Sequence, residues 1–222
     1  MKRSSIKSLG MILLSITLLW GCQASSAVKG GAIGGTAGGV LGGIIAGKDN
    51  TATGVLIGAA IGGTAGTLIG RNMDKQAEEL RADLEGATVE RVGEGIKITF
   101  DSGLMFATNS SDLSASTKTN LTELATVLQK YEDTNVLIEG HTDDTGAADY
   151  NQTLSEKRAN AVLNYLTSLS LDYQRLETHA YGESQPLTDN STQAGRQANR
   201  RVEVAIYAND KMKRMAKRGE LK

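Results

Sequence analysis

An aspartate and an arginine fifteen positions apart, Asp143 and Arg158, are the side chains best placed to hold an ion in this sequence. Asp143 closes the segment Glu139-Gly140-His141-Thr142, which continues the apolar run Val136-Leu137-Ile138. Arg158 shares a helical stripe with Asn151, Leu154, Val162, Tyr165 and Leu169, so a cation points where a core or its edge should lie. A guanidinium stays protonated and is rarely buried without a partner. Asp143 is the expected partner. On spacing alone two uses stay open: a salt bridge that pins a helix to a strand-end loop, and a functional pair. Other chemistries in the same stretch are weaker. His141, Asp143 and Ser155 sketch a nucleophilic triad, but no serine sits in a glycine elbow, so no catalysis is expected. Asp143, Asp144 and Asp149 lack the spacing of an EF-hand loop, so neither a metal site nor a cofactor is expected.

These residues need a scaffold, and the pattern from 87 to 208 supplies one. Thr88 to Val92 and Ile96 to Phe100 flank Gly93-Glu94-Gly95, a hairpin signature. Serines at 114 and 116 open a helix with Leu121, Leu124, Ala125, Leu128 and Tyr131 on one face. After the strand at 136–138 comes a helix from about Ala148 to Ser168, then strands at Leu176 to Tyr181 and Arg201 to Tyr207. The order predicts an α+β fold, a β-α-β-α-β-β sandwich with helices on one face of a mixed sheet.

The strings Glu139-Gly-His-Thr-Asp-Asp-Thr-Gly146, Tyr150-Asn151, Leu154-Ser155, Arg158-Ala159 and Asn199-Arg200-Arg201-Val202-Glu203 closely resemble the OmpA-like peptidoglycan-binding domain. Phe106-Ala-Thr-Asn109 and Tyr181-Gly-Glu-Ser-Gln-Pro186 extend the match over about residues 96 to 208. The resemblance implies non-covalent capture of diaminopimelate in the peptide stem of Gram-negative peptidoglycan. That residue carries an ammonium and a carboxylate on one carbon. Asp143 matches the family aspartate for the ammonium and Arg158 the arginine whose fork takes the carboxylate. Thr142 and Asn151 match flanking hydrogen-bonding residues, Asn109 and Arg200 match residues that close the pocket, and Leu154 supplies an apolar wall. His141 matches a structural histidine. Some relatives of this domain partner ion channels, but residues 30–47 and 54–70 hold no ionisable side chain, which argues against that role here.

The rest of the chain reads as an address and a spacer. Residues 1–21 form a signal peptide, with Lys2, Arg3 and Lys7 ahead of an apolar run from Leu9 to Trp20. Leu19, Gly21 and Cys22 resemble the lipobox of bacterial lipoproteins, with Trp20 a departure from it. Cys22, the sole cysteine, is the expected lipidation site, 22–29 the lipidated tether. Gln23 in place of a retaining aspartate implies the outer membrane, with the domain facing the periplasm. Of 26 glycines, 15 fall within residues 30–70 as two rows spaced by four, and IGGTAG at 33–38 recurs at 61–66. Glycine costs about 1 kcal/mol against alanine in a helix, so the rows are either a flexible tether or need close packing: a membrane hairpin, a hairpin packed on protein, or a homo-oligomer. The last gives the alternative function, an assembly protein led by its glycine zipper. Residues 71–86 read as a charged helical linker with a seam of Met73, Ala77, Leu80 and Leu84. Residues 209–222 form a basic tail, open to two readings: solvated, or a short helix on anionic headgroups or wall polymer. A formal net charge of -1 with two Phe, one Trp and six Tyr gives neither the basic field nor the stacking platform of a nucleic-acid partner.

Overall fold

The computed structural model describes residues 51–107 and 109–221. The signal segment, Cys22, the tether and the first glycine row lie outside the described residues. Five strands form one sheet: β1 (Ala87–Val92), β2 (Gly95–Asp101), β3 (Thr134–His141), β4 (Leu176–Gly182) and β5 (Arg201–Ala208). Their spatial order is β1-β2-β5-β3-β4. β3 and β4 run parallel, and the β1–β2, β2–β5 and β5–β3 ladders are antiparallel. The hairpin expected around Gly93-Glu94-Gly95 forms with Val92 opposite Gly95.

Period-two alternation gives each central strand two faces. Ile96, Ile98, Phe100, Val136, Ile138, Val202, Val204 and Ile206 fill one buried core with the helices above them. Those helices are α2 (Gly63–Asp83), α4 (Ala115–Lys130), α5 (Ala148–Ser168) and α7 (Asp210–Lys217). Ser114 caps α4 by accepting from Thr117 N–H at 3.2 Å, as serines at a helix start should. Short helices α3 (Ser102–Met105) and α6 (Gln193–Asn199) complete the ends of β2 and β5.

The opposite face is covered too, which the expectation of helices on one face missed. Helix α1 (Thr51–Gly58) lays Ala52 and Leu56 on Leu137 and Ala205. The hairpin reading makes the second glycine row one helical arm. It is instead cut at Gly62 and Gly63, with φ of 65° and 64°, a backbone that side chains with a Cβ resist. The break lets α1 serve one face while α2 serves the other. Glu94, in the β1–β2 turn, accepts from Ile61 N–H at 2.9 Å and Gly62 N–H at 2.7 Å and so holds the junction.

The linker expected at 71–86 is part of the domain. Ile69, Met73, Ala77, Leu80 and Leu84 are buried in the core, and each large one adds about 1.5–3 kcal/mol of burial. Among the described residues no helix is long and apolar enough to cross a membrane. The basic tail is likewise a docked helix. Asn209 caps α7 by accepting from Met212 N–H at 2.9 Å, and Met212 and Ala216 are buried on the core while the cations face outward.

Candidate functional site

The site is built where β3 ends and α5 begins. Gly140 permits it: a Cβ there would lie 2.2 Å from the Ser155 carbonyl oxygen, so the helix can approach the strand only over a glycine. Ser155 Oγ then accepts from Gly182 N–H at 2.9 Å, tying α5 to the end of β4. This seating aims Asn151, Leu154 and Arg158 across the strand-end loop 142–145.

All seven residues named from sequence for ligand binding, Asn109, Thr142, Asp143, Asn151, Leu154, Arg158 and Arg200, line one cleft. Phe106, Thr145, Tyr150 and Arg196 line it with them. Arg196, three positions from the Asn199-Arg200-Arg201 string on α6, is the charged residue that sequence reasoning missed. With it the cleft wall carries three guanidiniums and one carboxylate, a net cationic lining.

The expected Asp143–Arg158 pair does not form. Asp143 Oδ2 instead meets Arg200 Nη1 at 2.5 Å, because β5 lies beside β3 and Arg200 enters it at the same end of the sheet. Asp143 Oδ1 accepts from Thr145 N–H at 3.0 Å. Burial pushes this carboxyl up, but the hydrogen bonds from Arg200 and Thr145 outweigh it and hold the pKa below the usual carboxylate value.

Arg158 is only 4% exposed and forms no ion pair among the described residues. Its Nε donates to the Ser110 carbonyl at 3.1 Å, and its guanidinium carbon lies 5.1 Å from the centre of the Phe106 ring. Burial pulls its pKa down and Arg200 adds to that, while Tyr150 and Asp143 act in the opposite direction. It remains a cation, one whose charge is buried without a carboxylate.

Thr142 and Asn151 work on the loop itself. Thr142 Oγ1 donates to the Asp143 carbonyl at 2.8 Å. Asn151 Nδ2 donates to Glu183 Oε2 at 2.7 Å, to Thr145 O at 3.2 Å and to Asp143 O at 3.3 Å. Its amide group is spent on holding Asp143 in place. Asn109, at the cleft rim, adopts φ of 56°, in the left-handed region that asparagine tolerates better than most residues. The sketched triad is not assembled: Ser155 Oγ donates to Gln152 O at 2.8 Å, while His141 lies on the far face of the sheet beside Glu139.

Residues 105–200 match the OmpA family, and residues 1–74 match the YMGG-like Gly-zipper. The chain is 37% identical over 161 residues to the probable lipoprotein YiaD of Escherichia coli (strain K12), covering 72% of this chain and 74% of that protein. It is 35% identical over 132 residues to the outer-membrane lipoprotein YfiB of Pseudomonas aeruginosa, covering 60% and 78%. The structure of the cell wall anchor of the T6SS from Pseudomonas aeruginosa superposes with a TM-score of 0.54 at 27% identity, covering 62% of this chain and 97% of that one. With the motif residues gathered in one cleft and a relative 37% identical over 74% of its length, this chain belongs to the OmpA family.

Proposed function

We propose that the chain is an outer-membrane lipoprotein that binds peptidoglycan non-covalently through diaminopimelate and tethers the membrane to the wall. The observation that carries this reading is Arg158, a guanidinium 4% exposed with no carboxylate partner among the described residues. An unpaired buried charge is costly, and an entering carboxylate removes the cost. The remaining acceptor capacity of Asp143 takes the ligand's ammonium beside Arg200. Each charge-assisted hydrogen bond contributes about 1.5–3 kcal/mol, so losing either side chain removes most of a modest affinity. Leu154 gives the methylene chain an apolar wall, and Asn109 and Arg200 close the rim.

The lipoprotein part of the reading rests on Cys22 and its flanking residues, together with relatives named as lipoproteins. The test is co-sedimentation with purified sacculi. Arg158→Ala is expected to keep the wild-type circular dichroism and thermal transition, and Asp143→Ala to keep the circular dichroism with a lowered transition because its bonds from Arg200 and Thr145 are lost, yet both should stay in the supernatant. Sedimentation equal to wild type by folded Arg158→Ala refutes the assignment.

A further inference from the structure

Behind the cleft, between the sheet and α1, lies a second group of charged side chains that the proposed function does not use. Glu139 and Glu203 stand directly opposite each other across the β3–β5 ladder, where like charges destabilise a sheet. They are 0% and 1% exposed, and His141, on the same face, is 1% exposed. Arg201 answers one of the carboxylates, donating from Nε to Glu203 Oε1 at 2.6 Å. Its Nη atoms go to the carbonyls of Gln185 and Asn199. Glu139 Oε2 accepts from Ala52 N–H in the first turn of α1 at 3.0 Å.

Three functional groups remain unsatisfied. Glu139 Oε1, Glu203 Oε2 and both ring nitrogens of His141 are buried without a hydrogen-bond partner among the described residues. One ligand atom from each residue lies within 4.8 Å of the other two. The imidazole is held by a parallel stack on Tyr181, with ring centres 5.4 Å apart at 16°. Buried polar atoms are rarely left unmatched, and here they converge.

The charges are also unequal. Two carboxyl groups share one guanidinium, that of Arg201, which bonds Glu203 alone of the two. Neutral imidazole is the form that ligates metals. A divalent cation reaches all three residues at once.

We propose that Glu139, His141 and Glu203 bind one divalent first-row metal ion of the zinc class, sealed between the sheet and α1. Two carboxylates and an imidazole are a hard-to-borderline donor set suited to Zn2+ or Mn2+. Bonds of about 2.0–2.2 Å place ligand atoms nearer one another than they now stand, and glutamate χ rotations close that gap without moving the ladder. The role is structural, since α1 covers the ion and the peptidoglycan cleft lies on the other face. It replaces the expectation of no metal and is independent of the wall-binding reading. His179, the other histidine, stands opposite Glu139 in the β3–β4 ladder but is held by Glu177 in the open at 2.9 Å, so His179→Ala separates this site from binding at the exposed pair.

The test uses the full chain in detergent, stripped with chelator and titrated with Zn2+ by calorimetry. The expected result is one ion per chain, a thermal midpoint raised by several degrees, and X-ray absorption showing one imidazole nitrogen and carboxylate oxygens at about 2.0–2.2 Å. His141→Gln is expected to weaken binding at least tenfold, and His179→Ala to leave it unchanged. Because His141→Gln can impair folding, the wild type decides: substoichiometric binding, or a shell without imidazole, overturns the proposal. Binding lost in His179→Ala and kept in His141→Gln overturns it as well.

Discussion

Arg200 Nη1 holds Asp143 Oδ2 at 2.5 Å, so the carboxylate at the mouth of the cleft is paired from the entry to β5 and leaves the helix arginine, Arg158, uncommitted to any acid among the described residues. The two charges that a zwitterion needs are thereby kept apart. A direct Asp143–Arg158 bond would have to break before a ligand entered. In the proposed reading a ligand's carboxylate meets Arg158 without that step, and its ammonium shares Asp143 with Arg200.

The same pairing fixes how the site responds to acid. The Asp143 carboxyl lies below its ordinary value of 3.8 because hydrogen bonds from Arg200 and Thr145 overcome burial. A carboxyl depressed in the folded state contributes stability that is present above its unfolded pKa and lost as pH falls through the folded one. Arg200→Gln should therefore raise the Asp143 pKa, measured by carboxyl-carbon NMR titration, and shrink the acid-side stability loss assigned to this group. An unchanged Asp143 titration in Arg200→Gln contradicts the account.

Asn151 contributes through the loop. Its Nδ2 bridges Asp143 O, Thr145 O and Glu183 Oε2, so Asn151→Ala removes the ties between helix α5 and the loop, each hydrogen bond contributing about 0.5–1.5 kcal/mol. Faster amide exchange across residues 143–146 and weaker sacculus binding should appear together. Weaker binding with loop exchange unchanged points instead to direct ligand contact by Asn151.

Much of this was legible in the sequence, and the reasons are local. Helix α5 occupies Ala148 to Ser168 as its stripe predicted, and β4 and β5 each extend the expected strand by one residue. Periodicity and motif spacing record such features directly. What they do not record is which neighbour wins a charged partner: Asp143 takes Arg200 from a strand that is adjacent only through sheet order. Helix α1 was hidden for a similar reason, since four-residue glycine spacing does not say where a row breaks or which surface it meets. The cross-strand opposition of Glu139 and Glu203 needed the β3–β5 register.

Gly140→Ala tests the seating of α5. The new Cβ meets the Ser155 carbonyl oxygen at 2.2 Å, and that oxygen belongs to backbone, so the helix has to move. Overpacking of this kind costs about 3 kcal/mol. The urea midpoint should drop, and sacculus binding should weaken in the folded fraction because Asn151 and Arg158 ride on the displaced helix. A variant as stable as wild type shows that α5 has slack the geometry denies.

Glu94→Ala tests whether the second glycine row is part of the domain. The carboxylate bonds Ile61 N–H and Gly62 N–H at the α1–α2 junction, at 2.9 and 2.7 Å, and charge-assisted bonds contribute about 1.5–3 kcal/mol apiece. Removing them leaves the break at Gly62 and Gly63 uncapped. Helix α1 should then loosen from Leu137 and Ala205, and limited proteolysis should cut near residues 59–62 faster than in wild type. The cleft is built from β3, α5 and β5, so sacculus binding should stay close to wild type. A row held mainly by a membrane predicts the reverse: no change in proteolysis in detergent-free and detergent-bound protein alike, because Glu94 would then have no junction to hold.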